Sequence, residues 1–172
     1  MKKKIIIAVL GVFGLLCLAW FIPFVYMIFA SSSSLIAGPV DAACKLARLA
    51  SLPTGSQIVN TQDTENPFSA SYRFIFKSDK DAIEKWLEFS PGIQEAKVTE
   101  YNEGLVLTPV TGLPEPMEDG VEYLFIPKNA PWFAPAITNG RKYEIPQDEN
   151  ADYGTVYVNN DTWTVYVTAS HS

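Results

Sequence analysis

A charge-free apolar run near the N-terminus constrains this chain more than any other feature. The run extends from Ile5 to Ala30 and directly follows Lys2, Lys3 and Lys4. A helix rises about 1.5 Å per residue, so a run of this length can cross a hydrocarbon layer of roughly 30 Å. Short lysine-rich flanks stay on the cytoplasmic side during insertion. The sequence therefore predicts a single-pass anchor in the cytoplasmic (inner) membrane, with the N-terminus inside and the bulk of the chain in the periplasm or at the cell exterior.

A cleaved secretory signal peptide is the alternative interpretation of this run. Such peptides have an apolar core of about 7 to 15 residues, followed by a small-residue cleavage site. Ala30 before Ser31 is a tolerable cleavage site, but the run is longer than such a core. We therefore expect an uncleaved anchor. The predicted organisation is a basic flank at 1–4, an anchor at 5–30, a linker at 31–38 and one extracytoplasmic domain at 39–172.

The composition of the outer segment excludes several partners and reactions. The chain has 13 Lys and Arg against 19 Asp and Glu. Three of the lysines precede the anchor, so the outer domain is more acidic than the whole chain. An acidic surface repels phosphate backbones, and no nucleic acid is expected as a partner. Outside the anchor there is one cysteine, Cys44, and the sole histidine is His171 in the C-terminal tail. We therefore expect neither a disulfide within the domain nor a nucleophile paired with histidine.

The clearest local pattern is a period-two strand followed by an amphipathic helix. Such alternation indicates one buried and one largely solvated face, which is typical of antiparallel sheets. Ser78 is the predicted N-cap of the helix, which extends over about 79–89 and carries Trp86 on its apolar stripe. We interpret Trp86 as a core residue. The alternating apolar residues are Phe68, Ala70, Tyr72, Phe74 and Phe76.

Weaker patterns complete an α+β prediction. We expect an N-terminal transmembrane helix followed by one domain with a mainly antiparallel sheet and one or two packed helices. The further predicted elements are a helix over about 40–50, strands at 56–61, 96–101, 104–109, 121–127 and 141–145, and a closing hairpin of 155–159 with 162–169. Residues 62–67 are predicted as a loop, and 102–104 as the turn of a hairpin.

A stiff aromatic segment is the best binding candidate in the sequence. Trp132 and Phe133 lie between Pro131 and Pro135 with Ala134. A segment flanked by prolines loses little entropy on binding, and prolines exclude it from a central strand. The alternative is that the two aromatic rings cap an open end of the sheet. The sequence therefore indicates either a binding loop or a sheet cap at Trp132 and Phe133.

An acidic run has part of the spacing of a calcium loop. Asp148, Asn150 and Asp152 place side-chain oxygens at alternate positions, and Ca²⁺ takes six to eight oxygen ligands. Tyr153 stands where such a loop needs glycine, and Asn159 stands where it needs a bidentate glutamate. A solvated turn is the alternative interpretation. Apart from this candidate Ca²⁺ site, no cofactor is expected.

Three segments resemble parts of small, membrane-anchored or extracytoplasmic bacterial proteins of unassigned function. The resemblance implies a bacterial envelope setting and supplies no catalytic or binding residues. The segments are FSASYRFIFKSDKDAIEKWLEFSPG, APWFAP and YGTVYVNNDTWTVYVTASHS.

The function expected from these features is a membrane-anchored extracytoplasmic binding or interaction module. An inhibitor or immunity type of module would fit the size, anchor and acidity, with another envelope protein as partner and the membrane contacted through Ile5 to Ala30. The alternative is a carboxylate-based hydrolase acting on an envelope polymer, because carboxylates are the abundant reactive groups. A non-enzymatic role is favoured over this alternative.

Overall fold

A six-stranded antiparallel sheet forms the centre of the domain. The computed structural model describes residues 38–66, 69–112 and 114–172. The strand order in the sheet is β1-β2-β8-β7-β6-β3, and β4 and β5 form a separate two-stranded parallel ribbon. The predicted α+β class with a mainly antiparallel sheet is thus confirmed. The strands are β1 (Gln57–Asn66), β2 (Ser69–Lys77), β3 (Lys97–Tyr101), β4 (Val106–Val110), β5 (Val121–Phe125), β6 (Gly140–Ile145), β7 (Asp152–Asn159) and β8 (Thr164–His171).

Helices cover one face of this sheet, which we call the helix face. They are α1 (Pro39–Leu46), α2 (Lys80–Glu88) and the single turn α3 (Pro91–Gln94). The N-cap of α2 is Asp79, whose carboxylate accepts a hydrogen bond from the Ala82 amide at 2.9 Å. The predicted N-cap Ser78 is therefore wrong by one residue, because the Asp79 carboxylate satisfies the free amide of the first turn.

The helix face carries the main core. Trp86 of α2 is 3% exposed, and its ring meets Phe76 of β2 edge-on with centroids 5.2 Å apart. Its indole N–H donates to the Ala50 carbonyl oxygen at 2.9 Å. The interpretation of Trp86 as a core residue is confirmed. The sheet contributes alternate residues of its central strands to the same core: Tyr72, Phe74, Phe76, Val156, Val158, Val165, Val167 and Ala169.

The opposite face is covered by the chain between β3 and β6. This segment, residues 102–138, carries the β4–β5 ribbon and packs a second core against the sheet. The prediction that the second face of β2 is largely solvated is therefore wrong at Ile75, which is 6% exposed. Period-two alternation could not predict this cover, because the covering segment is irregular and distant in sequence. The buried residues of this second core are Ile75, Tyr101, Leu107, Ala130, Phe133, Ile137 and Tyr157.

Strand pairing differs from the sequence prediction in three places. β1 continues to Asn66, through the described part of the predicted loop 62–67, and pairs with β2. The predicted turn around 102–104 forms, with Asn102 and Leu105 exchanging backbone hydrogen bonds of 2.8 and 3.1 Å. The predicted hairpin strands do not pair beyond this bridge, because β3 pairs with β6 and β4 pairs with β5. His171 lies in β8, where it pairs with Ala70 of β2 and Asp152 of β7 rather than in a frayed tail.

The predicted anchor at 5–30, its basic flank and all of the linker except Gly38 lie outside the described residues, as does Phe68. In the parts of the chain that are described, no helix is long and apolar enough to span a membrane.

At Gly140, β6 lies so close to its neighbours that an added side-chain carbon would clash. A Cβ at this position would overlap the Val158 carbonyl oxygen and lie 2.6 Å from Ile137 Cγ2. Since a backbone carbonyl in a sheet cannot move easily, Gly140→Ala should lower the free energy of unfolding by about 1–3 kcal/mol. Urea unfolding of the 38–172 fragment followed by circular dichroism measures this change. Gly112→Ala is the control, since no atom lies within 4 Å of its added Cβ, and equal stability losses for both variants would contradict the prediction.

Candidate functional site

The aromatic pair predicted to bind lies against the opposite face of the sheet. Phe133 is 3% exposed and meets Tyr166 of β8 edge-on, with centroids 5.9 Å apart. Trp132 packs edge-on against Phe133 at 6.0 Å and is partly buried. Phe133 does not cap an open end of the sheet as expected, because it packs with Ile75 and Tyr157 on the opposite face. Phe133 is a core residue, and Trp132 is the member of the pair that keeps accessible surface. Binding at this pair stays a prediction.

The residues predicted to hold Ca²⁺ build a turn before β7. The Asp148 carboxylate accepts the backbone amides of Asn150 at 2.8 Å and Asp152 at 3.0 Å. The bond from the Asp152 amide, above all, lowers the pKa of Asp148. Asp152 Oδ1 lies 2.7 Å from Nδ1 of His171. Across the described ranges, no group of three or more His, Cys, Asp and Glu side chains is arranged to hold a metal ion. These contacts explain why acidic residues are clustered here: they hold the backbone of a turn.

A polar cavity of about 500 Å³, which we call the cleft, opens beside α2. It lies between that helix, the end of β3, the start of β6 and the β7–β8 turn. Its lining residues are Lys80, Glu84, Glu100, Tyr101, Asn102, Asn139, Gly140, Arg141, Asn160 and Trp163.

The register of the sheet brings these segments together. Antiparallel pairing sets Glu100 of β3 opposite Arg141 of β6. Gly140 pairs with Asn159 at the end of β7, so the following turn lies beside the start of β6. The Asn160 amide donates to the Asn139 carbonyl oxygen at 2.9 Å, which fixes the turn against β6. Four segments that are distant in sequence thus share one cavity.

Charges within the cleft balance one another. An Arg141 guanidinium nitrogen lies 2.6 Å from Glu84 Oε1. The Lys80 ammonium lies 5.6 Å from the centroid of the Trp163 ring, within range of a cation–π contact. Glu100 is exposed and has no ion-pair partner among the described residues. Two cations and two carboxylates make the lining neutral, although the outer domain as a whole is acidic.

Trp163 adopts a backbone conformation that normally favours glycine. Its φ angle is +48°, in the left-handed region. A non-glycine residue there costs roughly 1–2 kcal/mol. The turn is closed by Asn159 Oδ1, which accepts the amides of Asp161 at 3.0 Å and Thr162 at 3.1 Å. The Trp163 side chain also packs against the margin of the main core. The Trp163 ring therefore lies at the cleft although its backbone conformation costs free energy that a glycine would not lose.

Two residues of the cleft retain unpaired polar atoms. Nε of Arg141 and Oδ1 of Asn160 are shielded from solvent and have no hydrogen-bond partner among the described residues. A buried polar atom without a partner costs about 1–3 kcal/mol. One atom is a donor and the other is an acceptor. Groups that satisfy both, after small side-chain rotations, would recover this cost.

A separate polar network ties the β4–β5 ribbon to the opposite face of the sheet. The Lys142 ammonium of β6 lies 2.6 Å from Glu122 Oε1 of β5 and 3.4 Å from Glu144 Oε1. The Tyr101 hydroxyl donates to Glu122 Oε2 at 2.9 Å. Burial, and then this hydrogen bond, raises the pKa of Tyr101. The network satisfies buried polar groups under the ribbon, so its role is structural.

Tyr157 beside this network predicts a loss of stability at alkaline pH. Burial first, and then the charges of Glu122 and Glu144, raise the pKa of Tyr157 to about 12, whereas an unfolded tyrosine titrates near 10. Between these values the unfolded chain has lost a proton that the folded chain retains, so stability falls as the pH rises from about 10 to about 12. Urea unfolding at a series of pH values measures this fall.

Tyr157→Phe is the control for this pH dependence, because phenylalanine keeps most of the packing and cannot ionise. Its stability should decline less steeply over the same pH range. Some decline should remain, because the pKa of Tyr72 is also raised to about 12, by burial and by its hydrogen bond to Glu65. An unchanged slope in Tyr157→Phe would contradict the assignment.

A second cavity, of about 440 Å³, lies on the other side of α2. It is more apolar than the cleft and includes Ala50, Pro53, Trp86 and Phe89 in its lining. Phe89 is 71% exposed. Ser51, Thr54, Asp79, Asp81 and Lys85 also line this groove, and the Asp79 carboxylate is engaged as the N-cap of α2. The groove offers apolar surface for a contact.

The cleft could not be predicted from the sequence. Its lining comes from four segments between Lys80 and Trp163 that match no motif, and pairing of β3 with β6 was not predicted. The available signal was Trp163 in a polar turn, directly after Asn160, Asp161 and Thr162. Comparison of the chain with protein-family models, with curated proteins and with solved structures finds no match.

Proposed function

We propose that the chain is a membrane-anchored extracytoplasmic binding module whose ligand site is the cleft. Residues 5–30 hold it in the cytoplasmic membrane, and the domain at 39–172 acts outside on a component of the envelope. The observation that carries the proposal is a neutral, polar cleft with a strained tryptophan in an otherwise acidic domain. An inhibitor or immunity role belongs to this class of function.

Support for the location comes from the N-terminal sequence. The charge-free run at 5–30 is long enough to cross a bilayer and follows three consecutive lysines. This arrangement favours an N-terminus in the cytoplasm and a domain outside it. Small domains held near a membrane surface meet ligands of the envelope at high local concentration, which suits a binding role.

Support for the ligand site comes from three properties of the cleft. Its volume of about 500 Å³ lies within the range of small-molecule sites, about 300–1,000 Å³. Polar groups from separate elements converge there, which is how orientation and specificity are supplied in such sites. The positive φ angle of Trp163 is a strained feature, and strain of this kind clusters at functional sites.

Topology is tested with the full chain in bacterial cells. Protease added to spheroplasts should digest residues 39–172, and carbonate washing should leave the protein in the membrane fraction. A protected domain would contradict the proposed orientation. Release of the protein by carbonate would contradict the anchor.

Binding through the cleft is tested by affinity purification from detergent-solubilised envelopes. The full chain, Trp163→Gly and Phe89→Ser are compared, the last being an exposed aromatic residue outside the cleft. Trp163→Gly relieves the backbone strain, which offsets part of the packing lost with the ring, and circular dichroism checks that the domain stays folded. A component enriched by the wild type and Phe89→Ser but lost with folded Trp163→Gly is the expected result. Equal recovery with all three proteins would overturn the assignment of the cleft.

A hydrolase acting on an envelope polymer is the second candidate function. Glycoside hydrolysis uses two carboxyl groups that flank the scissile bond, and Glu84 and Glu100 both line the cleft. Glu84 already forms an ion pair with Arg141, which favours binding over catalysis. Incubation of purified envelope polymer with the full chain tests this function. Release of soluble fragments that stops with Glu100→Gln would establish the enzyme.

A further inference from the structure

We infer that the cleft takes a segment of a neutral, hydroxyl-rich saccharide strand, an inference that rests on the proposed binding function. The same lining disfavours phosphate groups, metal ions and charged peptides. The charge of the cleft, its unpaired hydrogen-bonding atoms and its aromatic ring each favour such a ligand.

Charge balance disfavours an ionic ligand. An anion entering the cleft approaches Arg141 but also meets Glu84, which already neutralises that guanidinium at 2.6 Å. Glu100 and the acidic domain add further repulsion for an anion. A cation meets Glu100 but also Lys80 and Arg141. A neutral ligand faces none of these opposing charges and requires no ion pair to be broken.

The unpaired atoms favour a group that both donates and accepts hydrogen bonds. Arg141 Nε is a donor and Asn160 Oδ1 is an acceptor, and neither has a partner among the described residues. A hydroxyl group donates one hydrogen bond and accepts two. A saccharide strand carries many hydroxyls, so separate hydroxyls can satisfy each atom after rotation of its side chain. These two atoms are buried, so the gain on binding is the recovery of lost hydrogen bonds.

The position of Trp163 favours a ligand with an apolar ring face as well as hydroxyls. The indole is rigid and lies in a cavity otherwise lined mainly by polar side chains, so it offers contact area at a low entropic cost. Sugar rings present C–H groups on one face and hydroxyls around the edge, which matches this combination. The Lys80 ammonium lies near the ring. The saccharide therefore packs against the free part of the indole or displaces this flexible side chain.

The test measures binding of defined probes to the full chain in a detergent without a sugar headgroup. The saccharide probes are neutral tetrasaccharides of glucose, of galactose and of N-acetylglucosamine, and the peptide probe is a blocked, neutral tetrapeptide of alanine and serine. Isothermal titration calorimetry should detect at least one tetrasaccharide and no peptide. Trp163→Gly should weaken that binding about tenfold or more, Asn160→Ala should weaken it less, and Phe89→Ser should leave it unchanged.

The outcomes separate this inference from the proposed function. Peptide binding that depends on Trp163, without saccharide binding, would overturn the saccharide inference and leave the binding module intact. Binding of no probe, together with Trp163-dependent capture of an envelope component, would do the same. Saccharide binding that survives both Trp163→Gly and Asn160→Ala would place the sugar site elsewhere and overturn the inference. If circular dichroism shows Trp163→Gly to be unfolded, Asn160→Ala decides the result, because it retains the ring.

Discussion

Replacing Trp86 with alanine is expected to lower the free energy of unfolding by about 3–5 kcal/mol. Trp86 is 3% exposed, so truncation removes a large apolar surface and leaves a cavity between α2 and the sheet. The edge-on contact with Phe76 is lost as well. The Ala50 carbonyl oxygen also loses the indole donor that now lies 2.9 Å away. The substitution therefore removes apolar packing, an aromatic contact and a hydrogen bond at the same time.

Urea unfolding of the 38–172 fragment, followed by far-ultraviolet circular dichroism, measures the Trp86 effect without relying on tryptophan fluorescence. Phe89→Ala is the matched control, since it truncates an aromatic residue of the same helix end that is 71% exposed. The control should change stability by no more than about 0.5 kcal/mol. Similar losses in both variants would show that the core does not depend on Trp86.

Replacing Lys142 with methionine is expected to cost about 3 kcal/mol, the lower end of the range for breaking a buried ion pair. Methionine keeps the length of the aliphatic stem but removes the ammonium group that lies 2.6 Å from Glu122. The Lys142 side chain is 10% exposed, whereas that of Glu122 is 33% exposed, so water screens part of the charge left behind. The ribbon should then open more readily from the opposite face of the sheet.

A double-mutant cycle with Glu122→Gln isolates the Lys142–Glu122 contact. The coupling energy should be about 0.5–3 kcal/mol, the range for residues in direct contact. Lys97→Met is the control, because its side chain is 80% exposed and its ammonium lies 3.7 Å from Glu144. A surface pair of this kind contributes about 0–1 kcal/mol. A cost for Lys142→Met no larger than that of Lys97→Met would show that the buried network does not hold the ribbon.

Sequence patterns predicted those elements in which the position of each residue decides whether it faces the core or the solvent. The alternation in β2, the amphipathic stripe of α2 and the closing hairpin all follow this rule, and Trp86 could be assigned to the core. β1 could not be predicted in full, since its sequence QIVNTQDTEN lacks apolar alternation. Its extension depends on pairing with β2, a tertiary effect that local propensity does not contain. The choice of β6 rather than β4 as partner of β3 is likewise non-local.

The candidate site was less predictable than the fold. Trp132 and Phe133 are predicted as a binding pair because they are aromatic residues between prolines. The burial of Phe133, however, depends on Tyr166 in a distant strand. Asp148 and Asp152 have metal-like spacing, yet backbone amides bind Oδ1 of Asp148 and His171 contacts Oδ1 of Asp152. The cleft is assembled by sheet register from short segments without a shared motif. Sequence spacing cannot reveal such a site until strand pairing is known.

The position of β8 in the sheet has a consequence for when the domain can fold. The last strand of the chain lies between β2 and β7, and pairs Ala70 with His171 at its end. Closing such a long loop is slow, and the contacts that reward it cannot form before β8 has been synthesised. Earlier segments can form α2 or the β1–β2 hairpin, but the centre of the sheet stays incomplete until β8 joins it. A domain of this topology therefore keeps both of its cores open until β8 is available, however early its local elements form.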